Sequence, residues 1–332
     1  MTPLHLRRRQ QERSIATHPP VAVAAAIDGV GVVDGAKDSD GVATAIPSTM
    51  QSQVVQPTTV MVVGGGSSAS IAVVRALSSR GHKVVAVEHD VRSPGLRLAE
   101  LGAVLPPADD PSFEKAVLSV VKTSEARAVM AVEPEEMHVI SKVKDMLSGL
   151  GTSVWTPEPQ VFDVCAYRPL LIRELTASGL APDKTGLGKT HEGRSSSKRY
   201  RKFSVDVLGD RNFDLVACVS SWCVAENGGE TTVAETFFDP RLLDLARAVC
   251  AAVRIEGPAV LEGYVPGDGG PALTSIRPGF SPLVPLTIAS GIDIVSLALA
   301  GTLGQKMPPR LLEHRKGVRM LQYLDQVFEE SQ

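Results

Sequence analysis

The sequence predicts an α/β protein with two domains, a parallel sheet first and a smaller α+β domain after it. Over residues 58–155, apolar strand-like runs alternate with amphipathic helical stretches, an order typical of parallel sheets with right-handed crossovers. From Phe203 the apolar pattern changes to a period of two, and consecutive hairpins flanked by helices indicate an α+β unit. The length of 332 residues agrees with two domains of roughly 150 residues each.

The composition excludes several functional classes. Hydrophobic residues make up 43 % of the chain, which is ordinary for a globular protein, and aromatics only 4 %, which disfavours base-stacking platforms. The net charge of −3 argues against nucleic acid as a partner. No apolar run approaches the roughly 20 residues that cross a bilayer, so no membrane partner is expected. The four cysteines form no CxxC motif, which favours a reduced, cytoplasmic compartment.

Residues 1–57 are predicted to be a disordered leader and linker. Four arginines precede residue 14, and a short apolar patch covers Val21–Ile27. Asp28 follows this patch without a clean cleavage site, which argues against a secretion signal. Acidic residues are scarce before Asp28, so an organelle-targeting leader stays open.

The first domain, residues 58–155, follows from a regular alternation of short apolar runs and helical faces. Gly81 ends the first predicted helix, and Asp110-Pro111 is a cap-plus-first-turn signal for a later one. The predicted strands are Val60–Val63, Val84–Val87 and Ala128–Val132, and the predicted helices carry Ile71 to Leu77, begin at Asp110-Pro111, and cover Glu135–Leu147.

Residues 156–202 are predicted to be a helical connection followed by an irregular basic loop, and residues 203–330 the second domain. The connection carries two helices, near 158–165 and 168–178. The second domain is predicted to have strands at Phe203–Val207, Leu215–Val219, Val260–Val265 and Ala272–Ile276, with a helix capped by Asp239-Pro240. Apolar residues after Leu311 recur mostly at helical spacings, which predicts a C-terminal helix.

A glycine loop follows the first predicted strand. Gly64-x-Gly66-x-x-Ala69 fits GxGxx(G/A), and Glu88 ends the next strand 22 residues beyond Gly66. Such glycines let the backbone approach a phosphate at a helix N-terminus, and Glu88 would accept hydrogen bonds from a ribose. Small residues at such a turn also serve tight strand-to-helix packing without any nucleotide. Both interpretations stay open.

Several segments, taken in order, resemble the ATP-grasp superfamily, especially ligases like the large subunit of carbamoyl-phosphate synthase. The resemblance extends from about Val60 to Phe328 with one large gap, and it rests on shared order and spacing. Its segments are VMVVGGG at 60–66, GHKVVAVE at 81–88, LPPADDP at 105–111, FSVDVL at 203–208, ALTSIRPGFS at 272–281 and RKGVRMLQYLD at 315–325.

The resemblance implies both a fold and a reaction. The fold is a Rossmann-like pre-ATP-grasp domain followed by an abbreviated ATP-grasp domain. In the family, ATP phosphorylates a carboxylate and an amine or similar nucleophile displaces the phosphate, while Mg²⁺ bridges the phosphate oxygens. The implied cofactors are therefore ATP and Mg²⁺, and the implied partner is a small-molecule carboxylate. A homo-oligomer or a partner subunit that completes the site is also compatible.

The chain departs from the family at the two strands that hold the metal. Glu262 stands where the family has a glutamine and is the one plausible metal ligand. Ser275 stands at the position of the metal-binding glutamate, and Arg277 at that of the metal-binding asparagine. A neutral hydroxyl is a poor magnesium ligand, and a guanidinium repels the ion. The departures predict weakened binding of Mg²⁺ and ATP.

The phosphate-binding region is also reduced. Between Pro182 and Phe203 the family carries some tens more residues, including its lysine strand and glycine-rich lid. A lid remnant that would bind phosphate together with Lys202 is one interpretation of this segment; a flexible basic loop is the other. The candidate remnant consists of Gly193, Arg194, Ser195, Ser196 and Ser197.

Three functional hypotheses follow. The first is an ATP-grasp relative of the carboxylate–amine ligase type, degenerate at its metal site. The second is a non-catalytic scaffold or binding protein that keeps only the fold. The third is an NAD(P)-dependent oxidoreductase that uses Gly64, Gly66 and Glu88, although no His/Asp or Lys/Tyr constellation supports it. Glu133, Glu135 and Glu136 cluster at a strand-to-helix junction, either lining a cleft or acting as helix-dipole partners.

Overall fold

A computed structural model describes residues 7–8, 55–180, 200–266, 269–307 and 311–327. Within these ranges the chain builds two sheets of six strands each. The first sheet is parallel apart from one edge strand, and the second is antiparallel throughout, which confirms the predicted fold class.

The first sheet has the strand order β1-β4-β3-β2-β5-β6. Five of its strands run parallel, and the two-residue strand β1 pairs antiparallel with β4 at the edge. Val60, Val62 and Met61 are fully buried because both faces of the sheet are covered. The strands are β1 (Arg7–Arg8), β2 (Thr59–Val63), β3 (Lys83–Glu88), β4 (Leu101–Val104), β5 (Ala128–Ala131) and β6 (Ser153–Val154).

Over the described residues, seven helices accompany this sheet and the connection after it. They are α1 (Ser68–Ser79), α2 (Gly95–Leu98), α3 (Phe113–Ser124), α4 (Pro134–Lys142), α5 (Lys144–Gly149), α6 (Pro159–Ala166) and α7 (Arg168–Ala177).

Two predicted helices differ from the structure. The helix expected from Asp110-Pro111 begins at Phe113, because the Asp110 carboxylate accepts hydrogen bonds from the Ser112 amide and hydroxyl and holds a turn before the helix. The single helix predicted over 135–147 is two helices. The Val143 amide bonds to the Ile140 carbonyl three residues back, and this tighter turn ends α4.

The second sheet has the order β11-β10-β7-β8-β9-β12. Phe203, Val205 and Val207 on β7 face a core shared with helix α8, whose predicted cap is present: the Asp239 side chain accepts from the Arg241 amide. The elements are β7 (Tyr200–Gly209), β8 (Leu215–Asn227), β9 (Glu230–Phe237), α8 (Pro240–Val253), β10 (Gly257–Pro266), β11 (Ala272–Pro278), α9 (Val284–Ala289), α10 (Ile294–Thr302) and β12 (Arg319–Leu321).

The predicted C-terminal helix after Leu311 is wrong. Over the described part of this segment the chain forms β12, which pairs antiparallel with β9. Gly317 has φ +73°, and its amide bonds to the Thr236 carbonyl, while the Thr236 amide bonds to the Val318 carbonyl. The open edge of β9 thus provides backbone hydrogen-bond partners for the segment that the spacing pattern assigned to a helix.

The two sheets meet where β5 ends and β11 ends. The Phe280 amide donates to the Val132 carbonyl at 3.2 Å. Helix α10 packs against the first sheet and α1, so one apolar core contains residues from both parts of the chain. This junction places the carboxyl edge of the parallel sheet beside the end of β11. No helix within the described ranges has the length and apolar character to cross a bilayer.

Candidate functional site

One face of the second sheet carries the predicted metal-site residues. Glu262 on β10 lies opposite Ser275 on β11, and Val260 lies opposite Arg277. Paired residues share a face, as do residues two apart on a strand. The two strands predicted to hold the metal are therefore neighbours, as the resemblance requires. We call the set Lys202, Asp206, Glu262, Ser275 and Arg277 the polar face.

Glu262 is engaged by its neighbour. The Ser275 hydroxyl donates to Glu262 Oε2 at 2.9 Å, and the Thr274 hydroxyl donates to the Glu262 carbonyl at 3.2 Å. The strand pairing is irregular between Glu262 and Gly263, and a Cβ at Gly263 would lie 2.0 Å from the Ala272 carbonyl oxygen. A residue other than glycine would therefore displace the strand next to Glu262.

Arg277 connects the two sheets. Its Nη1 lies 3.4 Å from Glu133 Oε2, and both side chains are partly buried, at 34 % and 23 % exposed. Glu133 directly precedes helix α4, just beyond β5. The position where the family has a metal ligand thus holds a guanidinium that pairs with a carboxylate of the other sheet.

Asp206 is a polar-face residue that the sequence reasoning missed. Its side chain is 4 % exposed, Oδ2 accepts a hydrogen bond from the Thr287 hydroxyl, and Oδ1 has no hydrogen-bond partner. Burial raises the pKa of Asp206, while the nearby Ser281 and Thr287 hydroxyls and the charge of Arg277 act in the opposite direction. The available signal was a lone acid between Val205 and Val207 in an alternating strand.

Lys202 lies on the polar face but is already paired. Its Nζ is 2.5 Å from Glu226 Oε1. Burial by itself would lower the pKa of Lys202, but the hydrogen bond to Glu226 and the charges of nearby groups, including Glu262, outweigh it and raise the pKa. The predicted lid residues 193–197 lie outside the described part of the chain. Lys202 is therefore the one placed member of the predicted phosphate-binding set.

The backbone amides of the glycine loop donate hydrogen bonds within the protein. The Gly64 and Gly65 amides donate to the Val87 carbonyl at 3.1 and 3.3 Å, and the Gly66 amide donates to Glu88 Oε2 at 2.8 Å. A Cβ at Gly95 would lie 2.1 Å from the Gly65 carbonyl oxygen, so the chain at α2 packs directly on the loop. The structure brings Gly64, Gly66 and Glu88 together. The amides of Gly64, Gly65 and Gly66 are all bonded within the protein, so this arrangement serves packing and leaves none of the three for a phosphate.

A small acidic cleft, lined by Glu88 and Glu136 among apolar residues, opens at the carboxyl ends of β2 and β3. In open α/β sheets this edge is the usual place for ligands. Glu136 reaches over Gly64, and its Oε2 is buried without a hydrogen-bond partner. Burial, reinforced by the negative charges of Glu88, Glu133 and Glu135, raises the pKa of Glu136 to about 7. The glutamate cluster at the strand-to-helix junction therefore includes a cleft residue.

The polar face does not fit a magnesium ion. Mg²⁺ requires oxygen ligands in near-octahedral geometry, supplied mainly by carboxylates, water and phosphates. The three family positions here hold one carboxylate, a hydroxyl that donates to it, and a guanidinium. Across the described ranges, no group of three or more His, Cys, Asp and Glu side chains is arranged to hold a metal ion.

Known proteins resemble this chain in structure. No protein-family model matches the sequence, and no curated protein matches it either. Pyruvate carboxylase from Rhizobium etli aligns with TM-score 0.56 and 17 % identity, covering 75 % of this chain and 28 % of that one. The biotin carboxylase–β-γ-ATP complex from Campylobacter jejuni aligns with TM-score 0.57 and 12 % identity, covering 76 % and 72 %. A biotin carboxylase domain of a single-chain bacterial carboxylase aligns with TM-score 0.54 and 14 % identity, covering 76 % and 71 %.

The chain spans just over a quarter of the length of the pyruvate carboxylase and about seven tenths of the two biotin carboxylase chains. At these identities the likeness concerns the fold. Biotin carboxylase domains have the ATP-grasp fold, so the fold that the sequence resemblance implies is confirmed. The chain has the ATP-grasp fold of biotin carboxylase domains, with a parallel-sheet domain followed by an antiparallel one.

Proposed function

We propose that this chain is a degenerate ATP-grasp protein of the ATP-dependent ligase type, with weakened binding of ATP and Mg²⁺. The observation that carries the proposal is the hydrogen bond from the Ser275 hydroxyl to Glu262 Oε2 at 2.9 Å. It engages the one carboxylate that stands at a family metal position. Arg277, at another such position, faces Glu133. This arrangement supports a fold retained without efficient magnesium-dependent phosphoryl transfer.

The charges around the polar face support the same proposal. Phosphoryl transfer needs cations that neutralise the developing charge on the phosphate oxygens. Both cations on the polar face, Lys202 and Arg277, already pair with carboxylates. A triphosphate without a metal would meet the carboxylates of Glu262 and Asp206 as well, and like charges in a partly buried site repel strongly.

Titration calorimetry with ATP, in Mg²⁺ and in EDTA, tests the proposal. We expect weak binding whose affinity changes by less than about threefold, roughly 0.7 kcal/mol, when Mg²⁺ is added. No ADP should accumulate. The proposal fails if Mg²⁺ tightens binding by tenfold or more and Glu262→Gln removes that gain. Glu235→Gln is the matched control, because Glu235 pairs with Arg319 at an exposed site on β9.

A second candidate is a non-catalytic binding protein that uses the acidic cleft. Glu136 Oε2 lacks a partner there, and Glu88 is close enough to raise the pKa of Glu136. This chemistry favours a hydrogen-bond donor such as a small primary amine over a carboxylate. A thermal-shift comparison of ethanolamine, acetate and NADPH, repeated on Glu136→Gln, separates the candidates. Stabilisation by ethanolamine that the variant loses supports the cleft, whereas stabilisation by NADPH would support an oxidoreductase.

The proposal also covers the cellular compartment and the partners of the protein. Cys165, Cys218, Cys223 and Cys250 are free thiols, and Cys218 and Cys250 are buried in the core of the second sheet. Such thiols suit a reducing, cytoplasmic compartment. The proposal includes a second copy or a partner subunit that completes the phosphate site, and a small-molecule carboxylate as the substrate of any residual activity.

A further inference from the structure

The polar face concentrates acidic groups next to the junction of the two sheets. Asp206 is buried to 4 % exposure, Glu262 lies on the same face, and Glu133 approaches from the end of β5. Carboxylates withdrawn from water in this way need compensating positive charge. In the family that charge comes from Mg²⁺. Here the described ligand positions do not fit the ion, so the compensation must have another source.

We infer that the Arg277 guanidinium takes the role of the divalent ion at this end of the polar face: it compensates Asp206 and Glu133, while Lys202 faces Glu262, and it ties the two sheets together without metal. This inference deepens the proposed function, because it names what replaces the metal at the degenerate site.

The strand register places Arg277 in line with Asp206. Arg277, Val260 and Asp206 stand side by side on β11, β10 and β7, and Glu262 is two residues along from Val260. Adjacent strands are about 4.8 Å apart, and the intervening Val260 is small and buried. An arginine side chain therefore lies in the same row as Asp206 and diagonal to Glu262. Its charge also lowers the pKa of Asp206, against the effect of burial.

The backbone fixes where Arg277 stands. Two residues after Pro278, the Phe280 amide donates to the Val132 carbonyl at 3.2 Å. Glu133 follows Val132 in the chain, and Arg277 Nη1 lies 3.4 Å from Glu133 Oε2. The ion pair and the backbone hydrogen bond thus act at the same point of the junction. A guanidinium stays charged at all physiological pH values, so the compensation is permanent.

The inference predicts that cation binding can be restored. Wild type, Ser275→Glu/Arg277→Asn, and the same double variant with Glu262→Gln are titrated with Mn²⁺, and the free-ion signal is followed by electron paramagnetic resonance. We expect no stoichiometric uptake by wild type, an affinity at least about tenfold higher in the double variant, and loss of that gain in the triple variant. Arg247→Glu is the control for net charge, because it changes the charge by −2 as the double variant does, and Arg247 pairs with Asp244 on the exposed side of α8.

Two results would overturn the inference. One is stoichiometric Mn²⁺ binding by wild type that Glu262→Gln removes. The other is a double variant that unfolds cooperatively, as a folded protein does, yet takes up no Mn²⁺. Both readouts are independent of ATP binding, so detectable phosphoryl transfer by wild type would refute the proposed function and leave this inference to stand or fall on Mn²⁺.

A stability measurement covers the case in which the double variant does not fold. Arg277→Gln leaves the buried Asp206 and the partly buried Glu133 without this cation, so we expect its melting temperature to fall by about 5 °C or more. Adding Asp206→Asn should recover part of that loss because it removes one uncompensated acid. Arg277→Lys keeps the charge and should lose less. Equal melting temperatures for wild type and Arg277→Gln would contradict the role assigned to Arg277.

Discussion

Gly279→Ala is expected to lower the free energy of unfolding by about 3–5 kcal/mol. Gly279 has φ +119°, a backbone conformation that side chains other than glycine rarely adopt. A Cβ there would also lie 2.3 Å from the Val132 carbonyl oxygen, an atom of the other sheet's backbone. The substitution therefore adds backbone strain and pushes apart the junction at which Arg277 meets Glu133.

Gly291→Ala is the matched control for this prediction. Gly291 has φ +109°, and a Cβ there would have no atom within 4 Å. An alanine at this position has the backbone strain but no steric clash, so we expect the free energy of unfolding to fall by about 1–2 kcal/mol. Urea unfolding of both variants at constant m-value gives the comparison. Equal losses would mean that the sheets are not packed together at Val132.

Glu136→Gln is expected to stabilise the protein above pH 7, with a benefit that disappears below about pH 4.5. Burial raises the pKa of Glu136 from 4.5 to about 7 in the folded state. As pH rises through this window, the unfolded chain releases its proton first, and the folded state of wild type loses stability. The difference between 4.5 and about 7 corresponds to roughly 3 kcal/mol, an upper value for the gain at pH 8.

Chemical denaturation from pH 4 to pH 8 measures this effect. The unfolding free energies of wild type and Glu136→Gln should converge at the acidic end and diverge on the way to pH 8. Glu114→Gln is the control, because Glu114 is an exposed acid in the first turn of α3 that does not act on Glu136, and its profile should follow wild type. Parallel profiles for wild type and Glu136→Gln would show that Glu136 is not withdrawn from water in the cleft.

The polar face could be predicted only in part from the sequence. Glu262 and Ser275 lie on two consecutive strands joined by a turn, so their pairing follows from local pattern. The contact of Arg277 with Glu133 joins residues 144 positions apart and depends on how the two sheets dock. The glycine motif was recognised, but its geometry was not predictable, because the use of the Gly66 amide depends on the rotamer of Glu88.

The same distinction applies to the fold. Strands with buried apolar runs, such as β2 and β3, were predicted close to their observed bounds. Helix α10 was missed because eight of its nine residues are buried, so it has no polar face and no helical period to detect. The helix predicted after Leu311 was wrong because spacing alone does not reveal that β9 offers an open edge. In both segments, contacts with distant parts of the chain determine the secondary structure.

The most direct test of the account is a crystal structure grown with ATP and Mg²⁺. We predict that the Ser275 hydroxyl still donates to Glu262 at about the present 2.9 Å, that Arg277 still faces Glu133, and that no ion is bound between β10 and β11. An octahedral ion coordinated by Glu262, with Arg277 turned away from Glu133, would contradict it.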